Sequence, residues 1–451
     1  NWFDGRSESA LAQWRGLCQG RDVNALMTAG QLINWGMPTL AAEMLNALDC
    51  QRTLPLYLQA SLLPKAERGE LVAKAIDVFP QFVRFPNTLE EVAALESIEE
   101  CWFARHLLAC FYYNKRSYNK AIAFWQRCVE MSPEFADGWR GLAIHAWNKQ
   151  HDYELAARYL DNAYQLAPQD ARLLFERDLL DKLSGATPEK RLARLENNLE
   201  IALKRDDMTA ELLNLWHLTG QADKAADILA TRKFHPWEGG EGKVTSQFIL
   251  NQLLRAWQHL DARQPQQACE LLHAALHYPE NLSEGRLPGQ TDNDIWFWQA
   301  ICANAQGDET EATRCLRLAA TGDRTINIHS YYNDQPVDYL FWQGMALRLL
   351  GEQQTAQQLF SEMKQWAQEM AKTSIEADFF AVSQPDLLSL YGDLQQQHKE
   401  KCLMVAMLAS AGLGEVAQYE SARAELTAIN PAWPKAALFT TVMPFIFNRV
   451  H

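Results

Sequence analysis

Glu238 and Glu241 stand three residues apart in HPWEGGEG, residues 235–242, and a second acidic pair, Glu280 and Glu284, lies in YPENLSEG, residues 278–285. Paired carboxylates are the equipment of glycoside hydrolysis, where one acts as general acid and the other as nucleophile or base across a gap of about 5 to 10 Å. The same residues have a plainer use. Gly239, Gly240 and Gly242 permit the positive φ of a tight loop, and glutamates there can accept backbone N–H groups at the next helix start. Residue types alone favour the plainer use, then contact with a partner or ligand, with catalysis third. A second candidate is Cys269, His273 and His277, which recur every four residues and so stack on one helical face. Two such histidines suit a metal, but no HExxH motif is present and the three lie on the flank of their helix. GGEG lacks the Lys-Ser/Thr ending of a phosphate loop, and no nucleophilic triad is recognisable, so no cofactor and no catalytic residue is expected.

These residues need elements to hold them, and the composition limits which. In 451 residues, 48% are apolar and 10% aromatic, ample for a buried core. The formal charge of −14 and a pI near 5.3 oppose a nucleic-acid or anionic-membrane surface, because either needs a basic footprint. Nine scattered cysteines without a CxxC pair suggest neither a disulfide framework nor a thiolate zinc site. No basic and apolar leader is visible after Asn1. The longest apolar run, AALFTTVMPFIF at 436–447, is shorter than the roughly 20 residues a membrane-spanning helix needs. The expectation is a cytoplasmic protein.

The elements announce themselves through a repeat. YNKAIAFWQRCVEMSP at 118–133 aligns with YELAARYLDNAYQLAP at 153–168 at an offset of 35, matching Tyr118 to Tyr153, Ala121 to Ala156, Trp125 to Leu160, Cys128 to Ala163 and Pro133 to Pro168. This is close to the tetratricopeptide period of about 34 residues. A small residue lets two helices approach, a large one four positions on fills the gap, and proline stops the helix. The same spacing recurs at Ala41/Leu45/Leu48, Ala225/Leu229/Arg232, Ala268/Leu272/Ala275, Ala312/Leu316/Ala319 and Ala356/Phe360/Met363. Gly344 precedes Ala356 by twelve positions, where the first helix of a pair would present a small residue. The fold class expected is all-α, a tetratricopeptide-like right-handed α-solenoid of helical hairpins. Its divisions are degenerate helical repeats over 1–100, two clear repeats over 101–183, further repeats with long loops over 184–430 and an apolar tail over 431–451. The tail is read as a cap strand or helix that packs on something. Aromatics such as Tyr112, Tyr113, Trp139, Trp296, Trp298 and Trp342 are read as mostly core, and the acidic run EEVAALESIEE at 90–100 as a solvated helix face.

Three connections break the short-turn rule of solenoids, at 232–246, 278–294 and 321–337. Each follows the second helix of a pair, so all should project from one rim. The first carries His235, Trp237, Glu238, Glu241 and Lys243; the second Glu280, Asn281, Glu284 and Arg286; the third His329, Tyr331 and Tyr332. These are the candidate contact residues.

HPWEGGEGKV at 235–244, YPENLSEGRL at 278–287 and ADFFAVSQPDLL at 377–388 resemble a bacterial family that joins an N-terminal β-rich, mutarotase-like region to a C-terminal tetratricopeptide array. The resemblance spans most of residues 30–430. It implies a carbohydrate-related context and, as partner, the β-rich region itself or a separate protein chain. Here no β-rich stretch precedes the repeats, so the expectation is either the excised C-terminal part of a longer protein or a free-standing version, and sugar chemistry by these residues alone is not expected. An interaction scaffold is therefore expected. The alternative is the C-terminal part of a carbohydrate-active enzyme whose loops complete a sugar site.

Overall fold

A computed structural model describes residues 7–18, 21–48, 52–79, 84–327, 334–376 and 389–449. Twenty-four α-helices run through them, and no strand is found among the described residues. The chain divides into two compact units, Asn1–Pro168 with Ser383–Leu390, and Gln169–Val382 with Tyr391–His451.

The first unit comprises α1 (Ser7–Cys18), α2 (Asp22–Asn34), α3 (Pro38–Ala47), α4 (Thr53–Ser61), α5 (Gly69–Asp77), α6 (Leu89–Ser97), α7 (Trp102–Asn114), α8 (Tyr118–Met131), α9 (Ala136–His145) and α10 (Tyr153–Leu166). Consecutive helices pair as hairpins, α2 with α3, α4 with α5, α7 with α8 and α9 with α10. The small-large-small spacing explains the closeness. Ala121, Trp125 and Cys128 of α8 are wholly buried, as are Ala156, Leu160 and Ala163 of α10. Trp125 lies against Gly141 of the next hairpin so tightly that a Cβ there would come within 2.3 Å of its ring. Glycine at 141 is therefore a packing requirement, and the alanines of the sequence pattern are only half of the device.

The acidic run at 90–100 is not all solvated. Glu91 is 2% exposed and closes a capping box with Thr88 at the start of α6. Its carboxylate accepts the Asn87 and Thr88 N–H groups and pairs with Arg84 at 3.1 Å. The sequence reading treated those glutamates alike, whereas the helix start claims this one.

The second unit comprises α11 (Ala171–Leu183), α12 (Pro188–Asn197), α13 (Leu199–Ala202), α14 (Asp206–Leu218), α15 (Ala222–Thr231), α16 (Lys243–Asp261), α17 (Pro265–Ala275), α18 (Asn293–Ala305), α19 (Glu309–Ala319), α20 (Tyr339–Leu349), α21 (Gln353–Met370), α22 (Leu394–Leu413), α23 (Val416–Ile429) and α24 (Ala436–Arg449). Hairpins α14/α15, α16/α17, α18/α19, α20/α21 and α22/α23 succeed one another, each packing on the next. Phe360 of α21 repeats the Trp125 arrangement on both sides, since a Cβ at Gly344 or at Gly412 would fall 2.3 Å from its ring. The fold is a tetratricopeptide-like α-solenoid of helical hairpins. None of the described helices is long and apolar enough to cross a membrane.

The apolar tail is α24. It lies against α14 and α16, with Leu438, Phe439, Val442, Met443 and Ile446 no more than 2% exposed.

Candidate functional site

The crossover from α15 to α16 is tied down at its beginning. Asp206, the first residue of α14, accepts Arg232 Nη2 at 2.6 Å and the His235 N–H at 3.0 Å, and faces His235 Nδ1 at 3.2 Å. Phe234 between them is 1% exposed, so the loop enters with an aromatic anchor beneath it. Trp237 then folds over Gly240, where a Cβ would meet the indole at 2.0 Å, and the Gly240 N–H donates to Trp237 O at 3.0 Å. Gly239 and Gly242 both hold φ of 75°, a region that costs other residues roughly 1 kcal/mol or more. The glycines of HPWEGGEG thus have two jobs, one making room for an indole and the others reversing the chain.

The second crossover, from α17 to α18, locks onto the first. Asn281 donates its side-chain amide to Leu229 O at 2.8 Å and Arg232 O at 2.7 Å, satisfying carbonyls at the end of α15 that the helix leaves open. Its own carbonyl accepts the Phe234 N–H at 2.8 Å, and Ser283 Oγ donates to Phe234 O at 2.6 Å. Glu284 reaches the start of α16, where its carboxylate accepts the Gly242 N–H at 2.8 Å and the Thr245 hydroxyl at 3.4 Å. A carboxylate at that position also meets the positive end of the helix dipole. The glutamate that caps this helix is therefore contributed by the neighbouring crossover, 42 residues away. Arg286 pairs with the buried Asp292 and donates to Gln290 O at 3.2 Å, bracing the return to α18.

The third crossover joins through Asn293, which donates to Ala319 O at 2.7 Å and Thr321 O at 2.6 Å. His329, Tyr331 and Tyr332 fall outside the described residues, as does the motif at 377–388.

Of the candidates, His235, Glu238, Glu241, Lys243, Glu280 and Arg286 are exposed, while Trp237, Asn281 and Glu284 are half-buried. The structure brings the first two crossovers into one hydrogen-bonded body and splits their residues by task. Asn281 and Glu284 face inward and hold the loops together; of the exposed set, His235 faces Asp206 and Arg286 pairs with Asp292, while Glu238, Glu241, Lys243 and Glu280 have exposed side chains. Exposed carboxylates lack the apolar enclosure that fits an acid for glycoside cleavage.

His273 and His277 sit on an exposed flank with ring centroids 5.1 Å apart, and Cys269 accepts Gln306 Nε2 at 3.3 Å. Among the described residues no group of three or more metal-ligating side chains converges. A cavity of about 410 Å³ lies elsewhere, between α21 and α22, bordered by Thr373, His398, Lys399 and Cys402, and takes in none of the candidates.

Sequence reasoning missed a buried cluster at the foot of the second and third crossovers. Lys435 Nζ lies 2.8 Å from Asp294 Oδ2 and 2.6 Å from Asp338 Oδ2, and 4.9 Å from the Tyr339 ring centroid. Burial pushes the Asp338 carboxyl above its ordinary range although Lys435 pulls the other way. For Lys435 the two carboxylates outweigh burial and raise the ammonium further. The three charged residues are separated by up to 141 positions, and no local spacing could have joined them.

No family model matches the chain. Among solved structures it is similar to the P58(IPK) TPR domain, with 15% identity over 78% of this chain and 96% of that one, at a TM-score of 0.25. It is also similar to the Cut9-Hcn1 hetero-tetramer of APC/C, at 12% identity over 98% and 90% of the two chains and a TM-score of 0.25. A third likeness is to Naa15/Naa10 bound to HypK-THB, at 12% identity and a TM-score of 0.34, covering 86% of this chain and 61% of that one.

Proposed function

We propose that this chain is a protein-interaction scaffold whose contact surface is the rim built by the crossovers at 232–246 and 278–294. The observation that supports this reading is the division of labour in those loops. Backbone groups of Leu229, Arg232, Phe234 and Gly242 are held by Asn281, Ser283 and Glu284, so Trp237, Glu238, Glu241, Lys243 and Glu280 stand on loops that are already tied down. Such a surface binds without the entropy cost of arranging loops first. A half-buried tryptophan on a loop that also carries the exposed Glu238, Glu241 and Lys243 has the make-up of a contact hot spot with a polar rim.

The partner proposed is a protein with a β-rich, mutarotase-like domain, the region that the resembled family carries ahead of its repeats. The test is a calorimetric titration of this chain with a purified domain of that kind. Trp237→Ala and the pair Glu238→Gln, Glu241→Gln should each weaken binding at least tenfold, the glutamine pair leaving the melting temperature of the free chain in place. Saturable binding that ignores these substitutions would remove the rim from the account. A panel of monosaccharides tests the other possibility: a sugar-dependent rise in melting temperature of the chain alone, abolished by the two glutamine substitutions, would favour a carbohydrate site over a protein contact.

A further inference from the structure

Helix α24 is packed like the centre of a core. Its partners are the first helices of successive hairpins. Phe445 sets its ring against Trp257 of α16 at 5.3 Å and Trp298 of α18 at 5.9 Å, and Phe439 stacks on Trp342 of α20 at 5.7 Å. Leu438, Phe439, Val442, Met443 and Ile446 are three, four, seven, eight and eleven positions after Lys435, one continuous stripe of a helix, and all are buried. Lys435 itself is clamped between Asp294 and Asp338. Two carboxylates around one ammonium leave a local excess of negative charge, so this end of the channel selects a cation.

One residue of α24 works against it. Pro444 lies inside the helix, and its side chain is on the exposed face with Thr440, Thr441 and Asn448. An interior proline removes a backbone hydrogen bond and clashes with the preceding turn, which weakens a helix by a factor on the order of 100. Packing does not require it there. The segment that joins α23 to α24 passes through Pro431 and Pro434 and turns at Lys435 with φ of 58°.

We propose that the channel across α14, α16, α18 and α20 is a helix-binding groove that α24 fills in cis, and that it receives from a protein partner an amphipathic helix of the same chemistry. That helix carries a lysine or arginine at its head and apolar anchors three, four, seven, eight and eleven positions on, without an interior proline. The groove shares Asp294 with the second crossover but takes in none of the exposed rim residues, so the peptide titration and the rim substitutions read different side chains and either can fail without the other.

The experiment uses the intact chain and a fluorescent peptide with the sequence of residues 433–449 carrying Pro444→Ala. Anisotropy should show saturable binding at one site, with α24 amides losing hydrogen-exchange protection as the peptide enters. The peptide that keeps Pro444 should bind on the order of 100-fold more weakly. Peptides with Lys435→Ala or Phe439→Ala should lose at least tenfold each. Pro444→Ala placed in the chain itself should exclude the peptide by a similar factor and raise α24 protection. The proposal is overturned by failure of the proline-free peptide to bind, by binding indifferent to Lys435 and Phe439, or by concentration-dependent dimers in which α24 passes to a second copy.

Discussion

Removing the Glu284 carboxylate should loosen both crossovers at once, and the size of the effect can be worked from its contacts. The side chain accepts the Gly242 N–H at 2.8 Å and the Thr245 hydroxyl at 3.4 Å, at the first turn of α16. A hydrogen bond to an ionised group contributes about 1.5 to 3 kcal/mol, and a carboxylate at a helix start adds about 0.3 to 1 kcal/mol. Glu284 is half-buried, so the low end applies, and Glu284→Ala should cost about 2 kcal/mol. Glu284→Gln keeps an acceptor of the same reach and loses only the charge, for about 1 kcal/mol. In a urea titration followed by far-ultraviolet circular dichroism, 2 kcal/mol corresponds to a midpoint shift of roughly 0.7 to 1 M for a transition of ordinary steepness. The glutamine variant should fall about half as far. An alanine variant within roughly 0.2 M of the parent, or a glutamine variant shifted as far as alanine, would refute the assignment of Glu284 as the cap of α16.

Gly141→Ala should destabilise by about 3 kcal/mol, because its Cβ would press on the fully buried Trp125 ring; Trp125→Leu, which copies Leu160 of the next repeat, should recover at least about 1 kcal/mol in a double-mutant cycle. His217 is held neutral in the core, with Nδ1 3.0 Å from Gln247 Oε1 and Nε2 3.1 Å from Asn251 Nδ2, and burial lowers its pKa from 6.5 to about 4. A folded pKa below the unfolded one means stability that is complete above pH 6.5 and is lost as pH falls toward 4. About 3 kcal/mol should disappear across that window, and a His217→Gln variant should lack this component in urea melts at pH 7 and pH 4.5. Arg191 is buried between Asp178 at 2.6 Å and Glu211 at 3.0 Å, so Arg191→Ala should cost about 3 to 5 kcal/mol by stranding the Asp178 carboxylate, measurable as a loss of folded protein by thermal melt.

The hairpins could be read from the chain because their rule is local. Ala121, Trp125 and Cys128 lie within two helical turns of one another, and the same spacing at Ala356, Phe360 and Met363 becomes the same buried seam. The glycines that receive Trp125 and Phe360 were harder to see, since Gly412 lies 52 positions beyond Phe360 across a long crossover. At the rim, the glycine-rich turn was visible in HPWEGGEG. The glutamate that closes it was not, because Glu238 and Glu241 were nearer in sequence than Glu284 and chain proximity is a poor guide once two crossovers run side by side. The tail was recognisable as something that must pack; the aromatic wall it packs on comes from Trp257, Trp298 and Trp342, which no periodicity connects to residue 439.

The central claim is that the crossovers at 232–246 and 278–294 form one ordered body. Hydrogen exchange at the Phe234 and Gly242 amides tests it most directly, since one donates to Asn281 O and the other to Glu284. Both should be protected well beyond open-loop rates in the native chain, and Asn281→Ala should lower protection at Gly242 as well as at Phe234. Exchange of either amide at the rate of an unstructured peptide, or loss confined to Phe234 in that variant, would contradict the account.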